Sequence, residues 1–307
     1  MIRMNTSRYR DLNTALRERF GCRVQKISLD AGLTCPNRDG TVGIGGCIYC
    51  SSRGSGTGLH HRYSITEQLE RGKQRLQRRY RAKKFIAYFQ SFSNTYGPLD
   101  ELKQLYNQAL SVDDVVGLAI GTRPDCVPDS MLDLLLELKH RTYLWVEYGL
   151  QSVHQRTLAL INRGHDFASF VDAVERTRKR EVEICVHIIL GLPGEDAADM
   201  LATARTLAKL DIQGIKIHLL YVIQGTPLAA MYQRGAYHCL SREEYVDIVC
   251  EFLALLSPQV VIHRLTGDPH PHELLAPDWA LEKQTNLQAI RDALESRDLW
   301  QGKHFQQ

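Results

Sequence analysis

The chain has 307 residues, of which 44% are hydrophobic and 24% charged, with 38 Lys and Arg against 35 Asp and Glu and a net charge of +3. That length favours one large domain with small end pieces, and the composition is that of an ordinary soluble globular protein whose core needs no disulfide staple. No uninterrupted apolar run approaches the ~20 residues of a membrane span, and the weakly basic balance permits an anionic partner without demanding one.

Taken in chain order, short β-branched runs alternate with amphipathic stretches, the pattern of βαβ units on a parallel sheet. After a helical extension over 1–23, the first strand is expected over Val24 to Asp30, followed by a Gly-rich loop from Ala31 to about Gly58. A helix from Ile65 to Arg81 carries Ile65, Leu69, Leu76 and Tyr80 on one face. A strand over Phe85 to Gln90 and a helix over Pro98 to Leu110 follow, then a strand over Val115 to Ile120. Pro128 opens a helix to about Lys139, at a position that tolerates proline. The fourth strand is Tyr143 to Gly149, with helical stretches over Val153 to Ile161 and Phe167 to Arg180. Glu183 to Leu190 is the fifth strand, Ala197 to Leu210 a helix, and Ile215 to Val222 the sixth strand. Ser241, with Glu244 three residues on, forms a capping box for a helix to Leu256. Val260 to His263 can add one short strand, and the tail from Pro277 to Leu299 reads as helical. These units place the main domain at 24–267 and a C-terminal helical extension at 268–307. Right-handed crossovers would build an open doubly wound sheet or a curved partial barrel, and spacing alone does not choose. In both, functional groups gather in the loops after the C-terminal ends of the strands.

Eight cysteines are present: Cys22, Cys35, Cys47, Cys50, Cys126, Cys185, Cys239 and Cys250. Cys185 lies in the apolar run Ile184 to Leu190, and the start Met1-Ile2-Arg3-Met4-Asn5 has no apolar signal segment. A reducing cytoplasm, with cysteine used for packing or metal, is the expectation. Cys35, Cys47 and Cys50 cluster in the loop after the first strand, with five glycines from Gly32 to Gly46 that let backbone bend around a bulky centre. Thiolates suit iron–sulfur clusters or zinc. A closed zinc site wants four ligands, which His60 or His61 would complete, whereas a cubane held by three thiolates leaves one iron open.

Other segments follow the strands in order. They are Gln90-Ser91-Phe92-Ser93-Asn94-Thr95, Gly121-Thr122-Arg123-Pro124-Asp125, Gln151 with Arg163 twelve residues on, His187 to Gly194 ending Gly191-Leu192-Pro193-Gly194, and Gln224-Gly225-Thr226-Pro227. With the cysteine gaps of eleven and two residues, the chain resembles the radical S-adenosylmethionine (SAM) superfamily, and along nearly its whole length the bacterial YhcC family, whose core is similar to that of the elongator catalytic subunit. The resemblance implies a partial (β/α)6 TIM-like radical SAM barrel with short N- and C-terminal extensions. It implies one [4Fe–4S] cluster on Cys35, Cys47 and Cys50, and SAM contacts from Gln90, Ser91, Ser93, Thr122, Arg123, Gln151, Arg163, His187, Gly191 and Gly225. Arg163 suits the SAM carboxylate because its fork donates two parallel charge-assisted hydrogen bonds. Relatives often carry a glutamate where Gly121 stands. The implied chemistry is reductive cleavage of SAM to methionine and a 5′-deoxyadenosyl radical, with an electron from a reductant such as flavodoxin or ferredoxin.

The substrate is not named by any motif. Arg71, Lys73, Arg75, Arg78, Arg79, Arg81, Lys83 and Lys84 follow one another without an acidic residue, a pattern read either as a solvated helix face or as a phosphate-binding surface. Together with the elongator resemblance this favours modification of the tRNA wobble uridine. The alternatives are a small-molecule or porphyrin-type substrate, and a non-catalytic zinc or cluster protein that binds RNA. The polar run His263 to Glu273 is left either to contact substrate or to cap the barrel.

Overall fold

The computed structural model describes residues 7–51, 54, 59–60 and 62–306. In chain order its elements are α1 (Leu12–Phe20), β1 (Val24–Leu29), α2 (Ile65–Tyr80), β2 (Lys84–Phe89), α3 (Leu99–Leu110), β3 (Val115–Thr122), α4 (Asp129–Lys139) and β4 (Tyr143–Gln151). There follow α5 (Gln155–Leu160), α6 (Phe167–Lys179), β5 (Glu183–Leu190), α7 (Ala197–Leu207), β6 (Gly214–Leu219), β7 (Val222–Ile223), α8 (Pro227–Gln233), α9 (Arg242–Leu255), β8 (Val261–Arg264), β9 (Leu274–Ala276) and α10 (Lys283–Ser296). The capping boxes at Ser64–Glu67 and Ser241–Glu244 satisfy backbone donors at the starts of α2 and α9.

Seven parallel strands lie in the order β1-β2-β3-β4-β5-β6-β8. Each new strand adds to the same growing edge, so the order never reverses and there is no switch point. The sheet therefore curls into a half-barrel rather than a doubly wound sheet, and the choice left open by spacing is made. Side chains alternate between its two faces. Leu144, Val146, Tyr148 and Leu150 of β4 join the large core beneath the helices, while Trp145 belongs to the inner cluster with Ile86, Tyr88, Ala119 and Cys185. Leu16 of α1 packs into that inner cluster. The chain before α1 pairs with β8, where the Ile262 amide donates to the Arg10 carbonyl at 2.8 Å. No described helix is long and apolar enough to cross a membrane.

Three expectations change. The apolar run after Gly214 does not continue as one strand to Val222; β6 ends at Leu219, and Val222–Ile223 pairs antiparallel with Leu274–Ala276. An unforeseen helix, α8, begins at Thr226, whose hydroxyl accepts from the Ala229 amide, with Pro227 in the first turn. The basic run is also not one helix face. Arg81 caps α2 in the left-handed conformation, Lys83 follows it, Lys84 opens β2, and Lys73 is buried and paired with Glu70.

Candidate functional site

A cavity of about 320 Å³ lies inside the half-barrel, and Cys35, Cys47 and Cys50 line it together with residues from the ends of β2 to β6. The cysteine loop is pinned to the segment after α5. The Ile48 amide donates to the Ile161 carbonyl at 3.1 Å, and Asn162 Nδ2 donates to the Gly46 carbonyl at 2.8 Å. In return Asn37 Nδ2 donates to the Asn162 carbonyl at 2.6 Å. Gly164, at φ +76°, lets this turn approach Asn37, because a Cβ there would meet Asn37 Oδ1 at 2.6 Å. Sequence reasoning missed Asn37 and Asn162; isolated asparagines carry no periodic signal.

The turn places Arg163 against the thiols. Its guanidinium donates to the Gly149 carbonyl through Nε at 3.2 Å and also through Nη2, and Nη1 lies 3.6 Å from Cys47 Sγ. A hydrogen bond from Cys50, aided by the Arg163 charge, holds the Cys47 thiol well below its ordinary value, and the same sharing with Cys47 pushes Cys50 up.

Of the ten residues implied as SAM contacts, Gln90, Thr122, Gln151, Arg163 and His187 line the cavity. Gln151 sits at φ +79°, a conformation a non-glycine residue adopts at a cost and that recurs at functional sites. Ser93 and Arg123 are buried beside the cavity and engaged by the protein itself. The Ser93 and Thr122 hydroxyls lie 2.8 Å apart, and Arg123 pairs with Asp125 while donating to the Arg163 carbonyl at 2.7 Å. Ser91 is buried with no hydrogen-bond partner for its hydroxyl. Gly191 and Gly225 take φ of +85° and +74° in turns outside the cavity lining.

The floor of the cavity is a buried ionic network that the sequence did not announce. The Glu147 carboxylate, on β4 and in register with Gly121 of β3, accepts from Trp145 Nε1 and from His187 Nε2, each at 2.8 Å. It also pairs with Lys216, and with Lys26 at 3.6 Å. Burial opposes ionisation of Glu147, but these lysines hold its carboxyl well below the usual range. Burial, with the nearby lysine charge, pushes His187 down to about 4. Glu147, Cys185 and His263 also bring three donor atoms within 4.8 Å of one another. The two lysines on the carboxylate, and a Cys185 thiol pushed well up by burial, disfavour a cation there.

Cys35, Cys47 and Cys50 are three free thiols lining one cavity, one ligand short of a closed tetrahedral zinc site. His60 Nδ1 instead lies 3.1 Å from the Asp30 carboxylate and is absent from the cavity lining. His61 lies outside the described residues.

Residues 35–207 match the family described as Radical SAM superfamily, and residues 212–296 the Radical_SAM C-terminal domain. The chain is 48% identical over 300 residues to YtqA of Bacillus subtilis, covering 97% of this chain and 93% of that protein. It is 39% identical over 273 residues to YhcC of Escherichia coli, covering 89% of this chain and 87% of that protein. A stretch of 156 residues is 27% identical to the tRNA uridine(34) acetyltransferase of Methanocaldococcus infernus, covering 50% of this chain and 29% of that enzyme. The solved structure of the archaeal Methanocaldococcus infernus Elp3 is similar with a TM-score of 0.71 at 16% identity, over 91% of this chain and 64% of that one. At that identity the likeness is one of fold.

Proposed function

The chain belongs to the radical SAM superfamily and, within it, to the YhcC family, and we propose that Cys35, Cys47 and Cys50 hold one [4Fe–4S] cluster facing SAM in the half-barrel cavity. The observation that carries this is the set of three free thiols on one cavity wall with Arg163 against Cys47. When bound, the cluster supplies the electron that cleaves SAM to methionine and a 5′-deoxyadenosyl radical. The protein's part is to bind, orient and exclude water. Arg163, with donors left over from Gly149, offers charge-assisted hydrogen bonds to the SAM carboxylate, and its charge also favours the Cys47 thiolate. Gln90, Thr122, Gln151 and His187 would meet the remainder of SAM. Ser93 and Arg123 would position Thr122 and the Arg163 turn, while Ser91, Gly191 and Gly225 would support the shape of the site. An external reductant of the flavodoxin or ferredoxin class, in a reducing cytoplasm, would supply the electron.

For the substrate we favour a tRNA wobble uridine. Arg71, Arg75, Arg78 and Arg79 line an exposed hollow on α2, with Arg81 and Lys83 exposed just beyond it, a surface suited to a phosphate backbone. The shared stretch with the tRNA uridine(34) acetyltransferase supports the same direction. The test is anaerobic reconstitution with iron and sulfide, then SAM and dithionite. Formation of 5′-deoxyadenosine is expected, and zinc uptake in place of iron and sulfide would refute the reaction. Nucleoside profiling of a deletion strain should reveal a changed wobble uridine; an unaltered profile would refute the tRNA substrate.

A further inference from the structure

The polar run that begins at the end of β8 has no part in the cluster and SAM assignments, yet Arg264 turns into the half-barrel. It lines the cysteine cavity and a second cavity of about 410 Å³ set between β1, β8 and α1. The two cavities share Tyr88, Lys216 and Arg264, which form the wall between them. Lys216 and Arg264 are register partners on neighbouring strands, so their side chains leave the sheet on the same face.

The charges around this wall do not balance. Lys26, Lys216 and Arg264 face one buried carboxylate, Glu147, which Lys26 and Lys216 already share, while Asp11, the other carboxylate in the lining of the second cavity, is taken up in capping α1, where it accepts from the Asn13 and Thr14 amides. The Arg264 guanidinium has no hydrogen-bond or ion-pair partner among the described residues. Asp268, at the cavity edge, is taken by Lys283 at 2.7 Å. His218 lines the first cavity with a buried Nε2 that lacks a partner, and burial together with the Arg264 charge holds its ring neutral. Burial pushes Lys216 down to about 7 despite its contact with Glu147. An interior that carries surplus positive charge and orphaned polar atoms is one that a negative ligand would stabilise.

We propose that Arg264 and Lys216, in the wall between the two cavities, form a seat for an oxyanion group of the substrate, a carboxylate or a phosphate. The guanidinium fork supplies two parallel donors to such a group, and the ammonium, already donating to the Tyr88 hydroxyl at 3.0 Å, supplies a point charge. That the seated molecule is the substrate rests on the proposed reaction in the neighbouring cavity; the seat itself does not depend on it.

The test is equilibrium binding of inorganic phosphate and, separately, of sodium acetate to the full chain at fixed ionic strength. One probe should bind at one site per chain, and Arg264→Gln should weaken it about tenfold or more, with partial recovery in Arg264→Lys, which keeps the charge. Tighter phosphate points to a nucleotide or RNA backbone, and tighter acetate to a carboxylate substituent. Absence of binding by both probes, or equal binding by wild type and Arg264→Gln, would overturn the seat. Cys47→Ser separates the two ideas, because it should lose iron and keep anion binding. Anion binding by a reconstituted wild-type chain that makes no 5′-deoxyadenosine would leave the seat standing and remove the reaction.

Discussion

The Arg163 guanidinium reaches the Cys47 sulfur at 3.6 Å although 116 residues separate them in the chain. One cation thus favours a thiolate while presenting donors to the cavity, so the metal-binding and SAM-binding assignments share a residue. Arg163→Ala, reconstituted anaerobically, should bind SAM about tenfold or more weakly, since a charge-assisted pair is lost from a buried site. Equilibrium dialysis measures this, and unchanged affinity would remove Arg163 from the SAM site.

Cysteine position, not cysteine number, should control iron content. Cys47→Ser purified without air should lack iron and the broad absorbance near about 400 nm of thiolate-held clusters. Cys250→Ala, in α9 and buried in the core away from the cavity, should retain both. Equal iron in the two variants would contradict the ligand assignment.

Gly149 is required by the crowding around it. A Cβ there would meet Arg163 Nη2 and Gln151 Nε2, each at 2.8 Å. Gly149→Ala should therefore displace both side chains and weaken SAM binding about as much as Arg163→Ala does, with the far-ultraviolet circular dichroism unchanged. SAM affinity equal to wild type would show that neither side chain needs its present position.

Acid should destabilise the apoprotein before its carboxylates titrate. His187 is buried and held down to about 4, from an ordinary value of 6.5, and His218 and His263 are held well below that value by burial. Between pH 6.5 and about 4 the unfolded chain binds protons at these rings that the folded chain refuses. Stability therefore falls as pH drops through that window, by up to about 1.4 kcal/mol per pH unit for each histidine. Urea unfolding at a series of pH values measures the slope, and His187→Gln should make it shallower. A slope identical to wild type would show that His187 is not neutral in the fold.

Much of the fold was legible because it is local. Strand and helix boundaries follow from hydrophobic periodicity, and the start of α9 from the capping box at Ser241. The break after Leu219 was not legible, because Leu220, Tyr221 and Val222 continue an apolar run while the partner that ends it, Leu274–Ala276, lies some fifty residues on. Likewise Lys73 reads as one more cation of a basic helix until packing buries that face.

By itself the sequence determined the alternation of strands and helices, the three-cysteine loop, and the order of the segments that follow the strand ends, because each is written in neighbouring residues. Only the tertiary structure decided which of those segments meet in one cavity, that Arg163 lies on Cys47, and that Lys26, Glu147, Lys216 and Arg264 share the inside of the half-barrel. Those residues come from different strands, and a charge in a parallel strand looks the same in sequence whether it faces water or a buried interior. What separates the two is the curl of the sheet, which turns one side of every strand toward a common axis.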